Sequence, residues 1–209
     1  MLTVNSPLRL INSLVPSIGS ITHWNCESTL IWICPDWVLR DCICDLNDGK
    51  SFLGSGINNP TRAIRHGGTS QSSGSVSNII DYVTTQTKGD SKDFGDLVTA
   101  RNSQTGCSNT TRGLIIAGQT PTNLNSIEYI TIASTGNGTD FGDITDEIDY
   151  LGACASSTRG VNAGGQSPTK INNIEYVTIA TTGNVTDFGD LTNTRRFCQG
   201  FSDCHGGLG

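Results

Sequence analysis

The sequence predicts an all-β fold made of tandem four-stranded units, and composition and repetition together support that prediction. Its 209 residues include 25 glycines and only 15% charged residues, with abundant Ser, Thr and Asn. Such a composition is typical of short strands joined by tight turns, since helix-rich domains need more Ala, Leu, Glu and Lys. The segment TGNVTDFGDLT (182–192) repeats TGNGTDFGDIT (135–145) and, less closely, KGDSKDFGDLV (88–98).

The period of the repeat is constant along the chain. DFGD starts at Asp93, Asp140 and Asp187, and TRG starts at Thr111 and Thr158, so each spacing is 47 residues. A unit of that length cannot bury both faces of its own sheet. We therefore expect neighbouring copies to stack and to share a core.

Four strands are predicted within one unit. The first is DYLGACAS (149–156), and the second is RGVNAGG (159–165), which ends in glycine. The third, NIEYVTIATT (173–182), is the clearest because β-branched and aromatic residues dominate it. A Gly-Asn turn then leads to the fourth, DFGDLT (187–192).

The repeat covers most of the chain and defines its organisation. We divide the chain into a non-repeat N-terminal segment, residues 1–44, and a repeat array, residues 45–209. Weaker copies extend the pattern in both directions: residues 61–68 align with 111–118, 78–84 with 125–131, and 196–204 with 149–157, and DLNDGKSFLGSG (45–56) is the faintest copy.

Phenylalanines, acidic residues and cysteines recur at equivalent positions of the units. We expect Phe94, Phe141 and Phe188 to insert between adjacent units as large apolar plugs. The Asp residues of each DFGD segment should tie a turn by side-chain to backbone hydrogen bonds. Cys107 and Cys154 should fill equivalent core positions as small thiols rather than pair with each other.

The unit resembles the kelch repeat of β-propellers. That family shows a small-residue strand, a Gly-Gly, a Tyr about ten residues later, a further aromatic residue and then an Arg. Phe stands where the family usually has Trp, and Ala117 replaces the first Gly in one copy. The corresponding residues here are Gly164, Gly165, Tyr176, Phe188 and Arg195 or Arg196. The resemblance implies a kelch-like β-propeller of about four blades, each of four antiparallel strands. Either residues 1–44 complete a four-bladed ring as a degenerate first blade, or the ring stays incomplete and its edges pair with another copy or another protein.

The amino-acid sequence of the repeats is similar to that of repetitive structural proteins of marine and cyanobacterial bacteriophages. IEYVTIATTGNVTDFGDLT (174–192) and the terminal HGGLG (205–209) are the segments concerned. The resemblance implies a virion protein assembled in the host cytoplasm, with other virion proteins or copies of itself as partners. An extracellular or cell-surface location is the alternative. A host surface glycan is a candidate ligand, since loops rich in Asn, Thr and Gly suit hydrogen bonding to sugars.

Charge and hydropathy exclude other classes of partner. The net charge of −6 lacks the basic field that a nucleic-acid binder needs, so we expect no nucleic acid. The longest apolar stretch, residues 29–39, is short and interrupted by Pro35 and Asp36, so we expect no membrane insertion. Polar residues and Pro16 break the apolar pattern of the first 20 residues, and we expect no cleaved signal peptide there.

Residues 24–44 contain all three Trp and four of the eight Cys and match no repeat. They form either a degenerate blade or cap, or a docking patch anchored by Trp. The potential metal ligands are His23, Cys26, Cys34, Cys42 and Cys44, but their spacings fit structural zinc poorly, so we expect thiols without metal.

Other motifs are better explained by the repeat than by chemistry. Calcium ligands in the DFGD region lack EF-hand spacing; the candidates are Asp140, Asp143, Asp146, Glu147, Asp187 and Asp190. HGG (66–68 and 205–207) occurs without a nucleophile elbow, and DFG without the other kinase motifs. The sequons at Asn109, Asn137 and Asn184 are expected by chance in this composition. We therefore predict no catalytic, cofactor or metal residues.

The sequence favours a non-enzymatic bacteriophage virion protein of the tail, fibre or capsid surface, acting in structure or host recognition. The alternative is a cellular kelch-type scaffold for protein interactions. A third possibility, an oxidase-like propeller enzyme, predicts a bound transition metal.

Overall fold

The computed structural model describes residues 50–51 and 56–200. Within these residues the protein forms fifteen β-strands and no helix, so the predicted all-β class is confirmed. All strand pairs are antiparallel, as tandem meanders require. No helix in this part of the chain is long and apolar enough to span a membrane.

Twelve of the strands form three sheets of the same design, in which the strands follow one another in chain order. Sheet I has the order β2-β3-β5-β6, sheet II β7-β8-β10-β11 and sheet III β12-β13-β14-β15. The bounds in sheet I are β2 Ile57–Asn58, β3 Arg62–His66, β5 Ile79–Thr84 and β6 Lys92–Asp96. Those in sheet II are β7 Thr105–Ser108, β8 Arg112–Ile116, β10 Thr122–Thr131 and β11 Thr139–Ile148. Those in sheet III are β12 Gly152–Ala155, β13 Arg159–Ala163, β14 Asn173–Thr178 and β15 Thr186–Asp190.

Three short strands lie at one end of these sheets. β1 (Lys50–Ser51) pairs with β4 (Thr69–Ser70), and β9 (Gln119–Thr120) pairs with the beginning of β10. β4 and β9 lie in the loops that join the second and third strands of sheets I and II, whereas β1 precedes sheet I in the chain.

The four strands predicted for one unit are all present in sheet III, and the third is shorter than predicted. β14 ends at Thr178, whereas the β-branched run continues to residue 182. Ile179 is fully buried although it lies beyond the strand. The chain leaves the sheet there because the following residues contact the neighbouring sheet, as described below.

The core lies between consecutive sheets. One cluster joins Ile80 and Phe94 of sheet I to Ile115, Ile130 and Ile132, which sheet II contributes. The other joins sheets II and III; its members include Leu114, Ile116, Phe141, Ala153, Val177 and Ile179. Burial of each such side chain contributes about 1.5–3 kcal/mol, so each unit depends on the next for its stability.

The first strands of the sheets lie next to one another. β7 lies between β2 and β12. The Ser108 hydroxyl, on β7, donates to the Asn58 carbonyl at 2.9 Å and accepts from the Asn58 amide at 3.2 Å, which joins sheets I and II. The described residues form no closed ring of sheets.

Residues after β15 approach the place where a further first strand would lie. The Phe197 amide donates to the Tyr150 carbonyl at 2.8 Å, as the Tyr150 amide donates to the Ser103 carbonyl at 3.1 Å. A Cβ on Gly152 would contact Cys198, which places Cys198 directly beside β12. The predicted start of a further unit at residues 196–204 is therefore followed as far as residue 200. The faint copy at 45–56 and the segment 1–44 lie almost entirely outside the described residues.

Left-handed backbone recurs at equivalent positions in the three units. Ala117 has φ of 57°, close to the 59° of Gly67 and the 66° of Gly164. The departure from Gly in the second copy therefore changes the residue and leaves the backbone conformation unchanged.

Candidate interaction site at the open edge of the array

The contact between sheets I and II is made by the loop that joins β10 to β11. The Gly136 amide donates to the Phe94 carbonyl, and the Gly138 amide donates to the Asp96 carbonyl, both at 2.7 Å. The Asn137 side-chain oxygen accepts from the Asp96 amide at 3.0 Å. The loop therefore lies along β6 and runs in the same direction.

The contact between sheets II and III repeats these bonds. The Gly183 amide donates to the Phe141 carbonyl at 2.7 Å, and the Val185 amide donates to the Asp143 carbonyl at 3.0 Å. The Asn184 side chain accepts from the Asp143 amide at 3.0 Å. We call residues 85–91, 132–138 and 179–185 the donor loops of sheets I, II and III, and β6, β11 and β15 the acceptor strands.

The central glycine of each DFGD segment permits this close approach. Gly95 and Gly142 both have φ of 145°, a region that other residues rarely adopt. A Cβ on Gly95 would overlap the Gly136 carbonyl oxygen, and one on Gly142 would overlap that of Gly183. Each acceptor strand therefore needs Gly both for its backbone conformation and for the space that the donor loop occupies.

An Arg, a Tyr and a Phe stack on each acceptor strand. In sheet II the Arg112 guanidinium lies 4.7 Å above the Tyr129 ring, whose edge contacts Phe141 at 6.1 Å between centroids. Arg112 also donates to the Ile179 and Ala180 carbonyls at 3.1 and 2.9 Å, so the stack holds the next donor loop. Sheet I repeats the arrangement with Arg62, Tyr82 and Phe94, and Arg62 donates to the Ile132 carbonyl at 2.7 Å.

Sheet III has the same stack, and none of the described residues forms a donor loop on it. Arg159 lies 4.6 Å above Tyr176, and Tyr176 meets Phe188 at 5.9 Å. Phe94 and Phe141 are 2% exposed, whereas Phe188 is 56% exposed. No atom lies within 4 Å of a Cβ built on Gly189, which has φ of 134°. The prediction that three phenylalanines insert between units is confirmed for two and wrong for Phe188, because its covering loop is missing among the described residues.

At the opposite end of the array, the described residues include no acceptor strand for the donor loop of sheet I. Gly89 and Asp90 of sheet I correspond to Gly136 and Asn137 of sheet II. Both are exposed, Gly89 has φ of 153°, and no atom lies within 4 Å of a Cβ built on it.

A buried ion pair supports the contact between sheets I and II from inside. Arg101, on the segment after β6, donates to Glu128 of β10 at 2.5 Å. Glu128 also accepts from the Val98 and Thr99 amides, at 2.8 and 3.2 Å. Burial lowers the pKa of Arg101 from its ordinary value, and the adjacent Glu128 carboxylate offsets part of that effect.

Asp149 is a buried carboxyl that lacks full compensation. Its side chain is 4% exposed, and one of its oxygens has no hydrogen-bond donor among the described residues. Burial raises the pKa of Asp149 above its ordinary value, while a backbone hydrogen bond and the charge of Arg196 oppose the change. The equivalent residue of the preceding unit is Asn102, which donates to the Thr69 hydroxyl at 2.9 Å.

The acidic residues considered for calcium do not converge in the structure. They lie along β11 of sheet II and β15 of sheet III, and the described part of the chain contains no group of three His, Cys, Asp or Glu that could hold a metal ion. Asp146 accepts from the Asn173 amide group at 3.2 Å, and Asp187 accepts from the Gly189 amide at 3.3 Å. DFGD forms strand rather than turn in all three units, so the proposed turn-tying role of its Asp residues is wrong except for this Asp187 bond.

The other motifs also have structural roles where they are described. His66 is buried at the end of β3, where its carbonyl accepts from the Gln104 side chain at 2.7 Å. Asn109 accepts from the Thr111 and Arg112 amides at 2.9 and 2.8 Å and shapes the turn between β7 and β8.

The recurring cysteines occupy equivalent positions on first strands and form no disulfide. Cys107, on β7, is buried, while Cys154, on β12, is half-buried. The prediction of equivalent core thiols is therefore confirmed for Cys107 and only in part for Cys154. The proposed metal ligands and Trp patch of residues 23–44, and the HGG of 205–207, lie outside the described residues.

The role of the Gly-Asn dipeptides was missed by reasoning from the sequence, which assigned them to a turn. Their constant distance from DFGD was the available signal. In sheets II and III the dipeptide begins five residues before Phe of the same unit, yet it binds the Phe strand of the preceding unit. No protein-family model and no curated protein matches the chain.

Proposed function

We propose that the protein is a kelch-like β-propeller array that serves as a non-enzymatic component of a bacteriophage virion, in the tail, fibre or capsid surface. Its role is structural or in host recognition, with other virion proteins or copies of itself as partners and a host surface glycan as the candidate ligand. The observation that carries this proposal is the contact between donor loop and acceptor strand, built twice from the same residues.

Several features of the units support the propeller assignment. Each sheet is a four-stranded antiparallel meander, and the first strands lie side by side as the inner strands of propeller blades do. Gly164 and Gly165 follow β13 with φ of 66° and 113°, and Tyr176 packs on Phe188. These are the residues on which the resemblance to kelch repeats depends.

The positions of the recurring residues also support a structural role. The glycines, asparagines, arginines and aromatic residues of the contact recur every 47 positions, and they hold sheet I to sheet II and sheet II to sheet III. Such a module can be repeated or joined to further modules without new chemistry. The recurrence of these contact residues therefore favours a role in assembly.

Mass spectrometry of purified particles of the phage that encodes the chain tests the proposal directly. We expect to find the chain in the virion, at a copy number set by the symmetry of the part of the particle to which it belongs. Absence from purified virions, together with recovery in a complex of cellular proteins, would favour the alternative of a cellular interaction scaffold.

Binding to an array of bacterial surface glycans separates the two roles within the virion. Binding of the purified chain to a defined glycan class would support host recognition. No binding, with the chain present in virions, would leave the structural role and remove the glycan ligand.

A further inference from the structure

Asn137 is the one asparagine in the whole sequence that is followed by glycine. It is exposed, and it lies in the donor loop that joins sheet II to sheet I. An Asn-Gly pair is chemically labile in an unfolded chain, because glycine has no side chain to obstruct attack of its backbone nitrogen on the preceding side-chain amide. The equivalent pair of sheet III is Asn184 and Val185, and the β-branched side chain of Val185 obstructs the same attack.

The reaction of such a pair has two steps. The backbone nitrogen of Gly138, after losing its proton to hydroxide, forms a bond to Cγ of Asn137, and the side-chain nitrogen leaves as ammonia. Water then opens the succinimide ring that results. Opening at Cγ gives aspartate, whereas opening at the main-chain carbonyl gives isoaspartate, in which the chain runs through the former side chain. Both products carry a new negative charge.

The contact between sheets I and II holds both reacting groups of this pair. The Gly138 amide donates to the Asp96 carbonyl at 2.7 Å, so its proton is withheld from hydroxide. The Asn137 side-chain oxygen accepts from the Asp96 amide at 3.0 Å, which fixes the side chain on β6. The pair therefore reacts only when the donor loop leaves its acceptor strand.

A buried carboxylate explains why glycine follows Asn137. A Cβ on Gly138 would overlap a carboxylate oxygen of Glu128, the buried residue of sheet II that pairs with Arg101. In sheet III, Val185 takes the position of Gly138 and packs against the core between sheets II and III. The labile pair is thus a consequence of how sheet II places its buried ion pair.

We propose that Asn137 is a site of spontaneous deamidation, that opening of the contact between sheets I and II sets its rate, and that isoaspartate formed there prevents the contact from closing again. Isoaspartate adds one atom to the main chain before Gly138, which moves the Gly138 amide out of register with the Asp96 carbonyl. The new charge also adds to those of Asp93 and Asp96 on β6. The inference is independent of the virion role proposed above.

Peptide mass spectrometry of the full chain, incubated in mildly alkaline buffer with and without urea, tests the site and its protection. Asn137 should deamidate at least about 100-fold more slowly in the folded protein than in urea, because the reaction waits for local opening. Asn184 should react slowly under both conditions. Deamidation of Asn137 at the same rate with and without urea would overturn the inference.

Gly95→Ala and Gly142→Ala test which contact controls the rate. Both glycines have φ of 145°, and a Cβ on either would overlap a carbonyl oxygen of a donor loop, but only Gly95 lies at the contact between sheets I and II. Without urea, Gly95→Ala should raise the rate at Asn137 about tenfold or more, and Gly142→Ala should leave it near that of the wild type. Circular dichroism checks that both variants fold. Equal rates at Asn137 in the two variants would show that this contact does not control the reaction.

Val185→Gly provides a second test that does not disturb sheet I. It creates an Asn-Gly pair at 184–185 in the equivalent contact between sheets II and III. Asn184 of this variant should deamidate in urea as fast as Asn137 and should be protected without urea. An Asn184 that stays unreactive in urea would contradict the role assigned to the following glycine.

The effect of isoaspartate on the contact is tested after ageing in urea and refolding. The aged protein, purified by ion exchange, should lose the hydrogen-exchange protection of the Gly136 amide, which donates to the Phe94 carbonyl in the contact. Asn137→Asp, carried through the same cycle, is the control and should keep that protection, because its side chain still accepts from the Asp96 amide. Full protection of Gly136 in the isoaspartate form would contradict the claim that the contact cannot close.

Discussion

Each sheet buries one carboxylate at the same position of its third strand, and each compensates it differently. Asp81 pairs with Arg65 on the adjacent strand β3. Glu128 lies opposite the apolar Ile115, and Arg101 reaches it from the segment after β6. Glu175 lies opposite Asn162, whose side chain donates to it at 3.3 Å. Because a buried carboxylate is costly without donors, a change of the facing residue in one unit requires a new donor from elsewhere.

Removal of Arg101 should destabilise the protein strongly. Arg101→Ile introduces the residue that the next unit has at this position, Ile148, and leaves Glu128 buried without its cation. We expect a loss of about 3–5 kcal/mol in the free energy of unfolding, measured in urea. Adding Glu128→Gln should recover part of the loss, since it removes the buried charge. A loss below about 1 kcal/mol would show that the pair is not buried as described.

The raised pKa of Asp149 predicts a pH dependence of stability. The folded state binds the proton of Asp149 more tightly than the unfolded state, so the contribution of Asp149 to stability is greatest below its unfolded pKa and falls as pH rises through the folded pKa. Asp149→Asn should therefore increase the free energy of unfolding by ~1 kcal/mol at pH 7 and have little effect near pH 3.

The exposed Asp140→Asn removes the same charge and is the control for the Asp149 experiment. It should leave stability at pH 7 almost unchanged. Equal gains for the two variants would mean that net charge, rather than burial of Asp149, sets the effect.

At the scale of the elements, an acceptor strand and a donor loop together form one contact, and both recur in the sequence every 47 residues. The strands were predictable because β-branched and aromatic residues alternate in NIEYVT and its equivalents. The donor loop was not predictable, since its hydrogen bonds go to the preceding unit, and local propensity carries no information about that partner. The exposure of Phe188 was unpredictable for the same reason.

Gly142→Ala and Gly189→Ala separate the cost of backbone strain from the cost of the contact. Both glycines have positive φ, but only Gly142 lies against a donor loop. At a concentration where the protein is monomeric, Gly142→Ala should destabilise it by about 1–3 kcal/mol more than Gly189→Ala. Equal losses in chemical denaturation would mean that strain alone requires glycine in DFGD.

At the scale of the whole molecule, stability comes from contacts between successive units. The two core clusters lie between sheets, and each draws side chains from two sheets. The 47-residue period and four-stranded unit could be predicted because every copy repeats the same pattern. Closure of a ring could not, because it depends on how many units a copy contributes and which end meets which, and no local pattern encodes either.

The central claim is that each donor loop lies on the acceptor strand of the preceding unit. Amide hydrogen exchange, followed by NMR in dilute solution, tests it most directly. The Gly136 and Gly183 amides should exchange at least about 100-fold more slowly than the same amides in the unfolded chain. Exchange of Gly136 and Gly183 as fast as in the unfolded chain would contradict the account.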